Sequence, residues 1–170
     1  MENGEYTSYY LFPSTMYATR KPCMISTILG SCVAVCLWDS NLRYGGMNHF
    51  MLPLWNGKGL ASPKYGNIAI QKLYEKMLSL GCLKENLQAK VFGGGDILQA
   101  SSWQFNIGAR NIGIAGQFLS ELGIPVQAMS VGGPNGRKIL FDSEKGTVIQ
   151  RYIEKMSMPS NNKNPYEEQD

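Results

Sequence analysis

Histidine is almost absent from this chain: His49 is the only one among 170 residues. Any step that needs an imidazole therefore has one place to happen. Cysteine is sparse as well, with four residues: Cys23, Cys32, Cys36 and Cys82. None is arranged as Cys-x-x-Cys, so the spacing carries no zinc or thiol-redox signature. Cys23, Cys32, Cys36 and His49 could supply four ligands, yet Cys36 sits in a strongly apolar run, and no metal is expected. No apolar stretch reaches the roughly 18 residues of a membrane span. The longest candidate, residues 24–38, is interrupted by Ser26, Thr27, Gly30 and Ser31. The first residues carry Glu2 and Glu5 where a secretory leader has a basic region, so no leader is expected. Lys and Arg form no concentrated stripe and the net charge is only +3, which argues against a nucleic-acid partner. No internal repeat is visible. The expected location is the cytoplasm, without direct membrane insertion. In that reducing compartment the thiols serve packing, metal binding or catalysis.

What is present is a chain 44% apolar and of the length of one domain. Residues 1–156 are expected to form that domain, and the polar tail 157–170 to be disordered. Two amphipathic helices are the clearest elements. The first is expected to begin near Ser62-Pro63, with Ile70, Leu73, Tyr74, Met77 and Leu78 on one face and Gly81 at its end. The second starts near Asn106 or Gly108, carries Ile112, Ala115, Leu119 and Leu122, and is stopped by Gly123 and Pro125. Strand signals lie around them at 32–38, 44–52, 89–92 and 126–131. Residues 138–142 and 147–153 read as a hairpin closed around Lys145-Gly146. The first two of these strands are expected to pair antiparallel. Together the pattern predicts an α+β fold, with layered antiparallel or mixed sheets and two main helices, rather than a doubly wound parallel sheet.

Two segments could carry chemistry. In Ser26-Thr27-Ile28-Leu29-Gly30-Ser31-Cys32, a hydroxyl pair leads into a glycine turn that delivers a cysteine at the start of a strand. Glycine lets the backbone approach a ligand closely, and N–H groups around Ser31-Cys32 could face a developing oxyanion. In Gly45-Gly46-Met47-Asn48-His49-Phe50-Met51-Leu52-Pro53, the lone histidine lies inside an apolar strand pattern. If the two strands are neighbours, Cys32 and His49 approach each other, and an imidazole beside a thiol can lower the thiol pKa from about 8.5. The bland alternatives are a core cysteine and a hydrogen-bonded core histidine. Gly93-Gly94-Gly95-Asp96 lacks the Gly-Lys-Ser or Gly-Lys-Thr of a phosphate loop and reads as a turn or the lining of a substrate groove. Arg110, at the start of a helix, opposes the macrodipole and suggests a carboxylate partner.

The runs 29–39 (Leu-Gly-Ser-Cys-Val-Ala-Val-Cys-Leu-Trp-Asp) and 45–53 resemble the two leading motifs of the chemoreceptor glutamine deamidase (CheD) family. Ala89-Lys90-Val91-Phe92-Gly93-Gly94-Gly95, Asn106-Ile107-Gly108-Ala109-Arg110-Asn111 and Gly132-Gly133 through Gly136-Arg137 are similar to its later motifs, in the same order. The resemblance implies an α/β-layered fold related to bacterial deamidating toxins and an amidohydrolase that needs no cofactor. It implies that glutamines on the cytoplasmic helices of chemoreceptors (methyl-accepting chemotaxis proteins) are converted to glutamates. It also implies a Cys–His–Thr triad. Cys32 and His49 fall on the first two positions. A gap-free count places Ser26 on the third, whereas Thr27, one residue nearer, keeps the residue type and is stiffer at χ1. Ser31, Gly93, Gly94 and Gly95 are the expected substrate-contacting positions. A CheC-type phosphatase is the implied further partner, and a regulatory binding module without catalysis is the alternative function.

Overall fold

The run Val33–Asp39 is apolar at nearly every position, a pattern suited to a strand covered on both faces. In the computed structural model, which describes residues 5–100 and 102–154, it is β4 (Val33–Asp39), at the centre of a five-stranded sheet. The order of that sheet is β2 (Met16–Thr19), β5 (Tyr44–Asn48), β4, β6 (Leu87–Gly93), β7 (Val126–Val131). A second sheet of four strands runs β1 (Thr7–Tyr10), β3 (Cys23–Leu29), β8 (Gly136–Asp142), β9 (Val148–Ile153). Two helices, α1 (Gly66–Ser79) and α2 (Ile107–Leu122), complete the framework.

The alternation of side chains along β4 assigns the layers. Val33, Val35 and Leu37 pack with Ala69, Ile70, Leu73 and Met77 of α1 and Ala115 and Leu119 of α2. Ala34 and Cys36 face the other way, with Met47 and Phe92, onto Cys23, Ile25, Leu29, Ile139 and Phe141. The order is therefore helices, five-stranded sheet, four-stranded sheet, with one core on each side of β4. Each fully buried aliphatic side chain in these cores contributes about 1.5–3 kcal/mol of transfer free energy.

The α+β class and the two helices agree with the sequence reading, as does the antiparallel pairing of β4 with β5. The hairpin β8–β9 also forms, with Gly146 in the left-handed region of its turn. The sheets are mixed, within the expected class: β6 and β7 run parallel, with α2 as the crossover, and β1 lies parallel to β3. Other details differ. Strands β1, β2 and β3 were not expected from short, mixed-polarity segments. Helix α1 begins at Gly66, four residues after Ser62, because the backbone there is claimed by tertiary contacts. The Gly66 amide donates to Leu52 O at 2.8 Å, and a Cβ at position 66 would press on the Phe50 ring. Helix α2 follows its sequence signals: the Asn106 side chain accepts from the Ala109 amide, and Gly123 closes the helix in the left-handed region. The expected tail 157–170 lies outside the described residues.

Candidate active site

The two chemical segments meet at one end of the core between the sheets. Val33 and Phe50 exchange both backbone hydrogen bonds, at 3.1 and 3.0 Å. That register sets Cys32 opposite Met51 and places His49, two residues back, on the same face as Cys32. The strand around His49 is adapted locally. Val35 N donates to the Asn48 side-chain Oδ1 at 2.8 Å, so a side chain replaces the ordinary ladder carbonyl. On the other side, Ser14 N donates to His49 O and His49 N donates to Thr15 O, at 2.8 and 3.2 Å. Two residues thus oppose one, with Ser14 at φ 66, which is the count of a β-bulge.

Thr27 reaches His49 from the opposite sheet. It lies on the inward face of β3 with Cys23, Ile25 and Leu29, and both it and His49 are about 1% exposed. Its Oγ1 is 2.7 Å from His49 Nδ1 and 2.8 Å from Leu11 O. A hydroxyl has one proton to give, and a carbonyl can only accept. The Thr27 hydroxyl therefore donates to Leu11 O and accepts from Nδ1–H. The imidazole proton is fixed on Nδ1, and Nε2 keeps a free lone pair with no hydrogen-bond partner among the described residues. Ser26 points to the other side of β3, away from this core. The structure joins Thr27 to His49, sets Cys32 on the same face of the neighbouring strand, and leaves Ser26 on the other side of β3.

Electrostatics favour neutral groups here. Burial pushes the His49 pKa down from 6.5 to about 4. Burial also pushes the Cys32 thiol up, against a smaller opposing pull from its own backbone N–H. The lowered thiol pKa expected from the sequence is therefore not what the fold provides, because desolvation outweighs a neutral imidazole. Both groups are thereby held in their neutral forms, the imidazole by a lowered pKa and the thiol by a raised one.

The glycines hold the nucleophile turn. Gly94 N donates to Cys32 O at 2.8 Å and Gly95 N to Gly30 O at 2.9 Å. Gly93 and Gly94 have positive φ, and a Cβ on Gly93 would run into the Cys32 carbonyl. Gly93 and Gly94 thus brace the turn, while Gly95 also lines an open cleft of about 310 Å³ with Ser31, Asp96, Ile97, Leu98, Phe105 and Asn106. The turn at Gly132-Gly133 is tied in through Asp96 N to Gly133 O at 2.8 Å and Gly132 N to Gly93 O at 2.9 Å. Arg137, buried beneath it, donates to the carbonyls of Ser130 and Gly132. Among the described residues, the Arg110 guanidinium donates to Gln104 O at 3.4 Å. No group of three or more His, Cys, Asp or Glu side chains that could hold a metal occurs among the described residues.

Sequence reasoning assigned no site role to three contributors: the Leu11 carbonyl, Asn48 and Asn111. The first is backbone and leaves no trace in residue type. The two asparagines did leave a signal, since each is a polar residue on an apolar stripe, Asn48 beside Met47 and Asn111 one turn before Ala115.

The site thus offers an imidazole with a free lone pair and a half-buried thiol on one face of an α+β scaffold, with an adjoining cleft. Comparison with known proteins narrows the class. The family model described as "CheD chemotactic sensory transduction" matches residues 51–152. A protein of Trichlorobacter lovleyi described as "Probable chemoreceptor glutamine deamidase CheD" is 53% identical over 83% of this chain and 88% of its own length. Proteins of the same description from Sulfurimonas denitrificans and Rhodospirillum rubrum are 48% and 44% identical, over 89% and 85% of this chain and 97% and 82% of theirs. The chain belongs to the CheD family. Among solved structures, the hypothetical protein YfiH of Bacillus licheniformis is similar over 68% of this chain and 49% of its own, with 15% identity and a TM-score of 0.46. The span matched by the family model begins just past His49 and so leaves out Cys32, His49 and Thr27.

Proposed function

We propose that this protein is a chemoreceptor glutamine deamidase in which Cys32 is the nucleophile, His49 the general base and Thr27 the group that orients it. The observation that carries the reading is the Leu11–Thr27–His49 relay, which fixes the proton on Nδ1 and turns Nε2 into a base. Nε2 takes the Cys32 proton as the sulfur attacks the glutamine side-chain carbonyl. The Cys32 N–H, which acts on its own sulfur, is the donor assigned to the oxyanion. The Gly94 and Gly95 amides are already engaged and serve as braces. Protonated His49 then gives its proton to the departing nitrogen, and ammonia leaves behind a thioester. Water, deprotonated by His49, hydrolyses the thioester to glutamate and regenerates the thiol.

The substrate is a glutamine on a receptor's cytoplasmic helix, and the reaction takes place in the cytoplasm. The cleft beside Ser31, with exposed Ile97, Leu98 and Phe105, offers an apolar rim to such a helix. A CheC-type phosphatase, implied by the resemblance, is assigned to the same cleft and competes with the receptor there. Purified protein is to be incubated with a receptor cytoplasmic fragment and the fragment weighed. Each converted glutamine gains about one dalton, as replacement of NH2 by OH requires. A receptor mass that stays unchanged in the presence of folded protein would overturn the assignment.

A further inference from the structure

We propose that Asn111 is a positioning residue for the reaction, the clamp that sets the distance between Cys32 and His49. The inference rests on the acyl-transfer reading above and extends it to a side chain on α2.

Asn111 sits in the interior of α2, on the stripe continued by Ala115 and Leu119, and is fully buried. Asparagine is a poor choice for a helix interior, and a buried amide is costly unless it is hydrogen-bonded. Both bonds made by its Nδ2 run to backbone outside the helix: to Ser31 O at 3.0 Å and to Met51 O at 3.0 Å. Ser31 is the residue before the nucleophile. Met51 stands opposite Cys32 and two residues past the base.

The site of the clamp is where the sheet comes apart. The β4–β5 ladder holds as far as the Val33–Phe50 bridge. Beyond it the Met51 and Leu52 amides both turn to Lys64 O, at 2.9 and 3.1 Å. The strand ends splay at the point where one carries Cys32 and the other follows His49. A single –NH2 group spans the gap, with one hydrogen for each strand. The helix itself cannot drift. One turn earlier, Gly108 lies so close to the Gly94 and Gly95 carbonyls that a Cβ there would collide with both. Those same two glycines bond Cys32 O and Gly30 O. An apolar side chain of similar size, such as leucine, would continue the stripe of Ala115 and Leu119. It would also avoid burying the Oδ1 atom, which has no partner among the described residues. What only the amide supplies is the link between the two strands.

The test compares Asn111→Ala with Leu119→Ala, a cavity on the same helix remote from the splayed strands. For Asn111→Ala, kcat on the receptor fragment is expected to fall by about 10- to 100-fold with KM changed less than about threefold, the scale of a misplacement of roughly 1 Å. Leu119→Ala should lose at least as much thermal stability and keep its kcat. The second readout is alkylation of Cys32 by iodoacetamide as a function of pH, in wild type, Asn111→Ala, His49→Gln and the double variant. If Asn111 acts through the Cys32–His49 geometry, either single change slows alkylation and the double variant is no slower than His49→Gln alone. Independent losses that multiply in the double variant, or a kcat for Asn111→Ala within about twofold of Leu119→Ala, would overturn the clamp. Should Asn111→Ala not fold, Asn111→Ser, whose single hydroxyl proton can serve at most one of the two carbonyls, takes its place in both assays. Alkylation needs no receptor. A wild-type protein that deamidates nothing would therefore sink the deamidase reading while leaving the test of the clamp intact.

Discussion

Cys32 and Cys36 lie on the same face of the same strand line, four residues apart, and they could hardly be treated more differently. Cys36 is at the centre of the inter-sheet core, 1% exposed, packed among Met47, Phe92 and Phe141. Burial holds its thiol far above the ordinary range. Cys32 is at the mouth of that core, half-buried, at a turn braced by Gly94 and Gly95 and on the same face as His49. Burial raises its pKa as well, but its own amide N–H opposes the rise and a base shares its face. The difference shows that a thiol's surroundings here are a property of position along the sheet and not of residue type. Near the middle a thiol is a small apolar filler; at the frayed end it is half-buried, and under the proposed function it is the reactive one.

The sharpest way to break the comparison is to delete each sulfur. Cys32→Ala should abolish receptor deamidation with the fold intact. Cys36→Ala should leave kcat near wild type and cost about 1–3 kcal/mol of stability, measured by urea unfolding, for a small cavity in a packed core. A deamidating Cys32→Ala protein, or an inactive but folded Cys36→Ala protein, would erase the distinction. A smaller effect is expected one step back, at the hydroxyl. Thr27→Val keeps the shape and removes the relay, and should lower kcat by roughly 10- to 1,000-fold. Ser26→Ala, on the outer face of the same strand, should change it little. Rates that fall equally in both variants would mean the imidazole is held by something other than Thr27.

The smallest effect is on stability against pH, and it concerns the base. His49 has a folded-state pKa near 4 against 6.5 unfolded, so between those values the unfolded chain binds the extra proton. Stability from this group is present above pH 6.5 and is lost as pH falls toward 4, by about 3 kcal/mol in all. Urea midpoints measured across that window should slope accordingly in the wild type and flatten in His49→Gln. An equal slope in both proteins would mean that His49 is not buried neutral. The same value implies that kcat/KM holds level down to about pH 5 before protonation of His49 turns it off.

The comparison also explains what could be read from the sequence. The apolar run read at 32–38 and its partner at 44–52 announced themselves, and with them the neighbourhood of Cys32 and His49. The second helix was legible at both ends because Asn106 and Gly123 act locally. The start of α1 was not, since Gly66 is selected by the Phe50 ring and by Leu52 O, neither of which is near in sequence. The choice between Ser26 and Thr27 was equally out of reach. It depends on which face of β3 turns inward, and β3 was itself hidden in a mixed-polarity segment whose register is set by β8. The direction of the Cys32 shift was missed for a related reason: proximity to histidine can be guessed from two motifs, whereas desolvation depends on everything packed around them.

The Leu11–Thr27 hydrogen bond has a consequence for how this chemistry can be divided or inherited. The group that decides which imidazole nitrogen carries the proton is a main-chain carbonyl from the segment just after β1. No substitution at position 11 removes that oxygen, so the tautomer is insulated from mutational drift there. Removal of the segment is another matter. A fragment or chimera cut at the start of β3 retains Cys32, His49 and Thr27, yet frees the hydroxyl to rotate and donate to Nδ1. The proton would then move to Nε2, and the proposed base would be lost with Cys32, His49 and Thr27 all in place. The smallest transferable unit of this activity therefore begins ahead of residue 11, far upstream of the span by which the family is recognised.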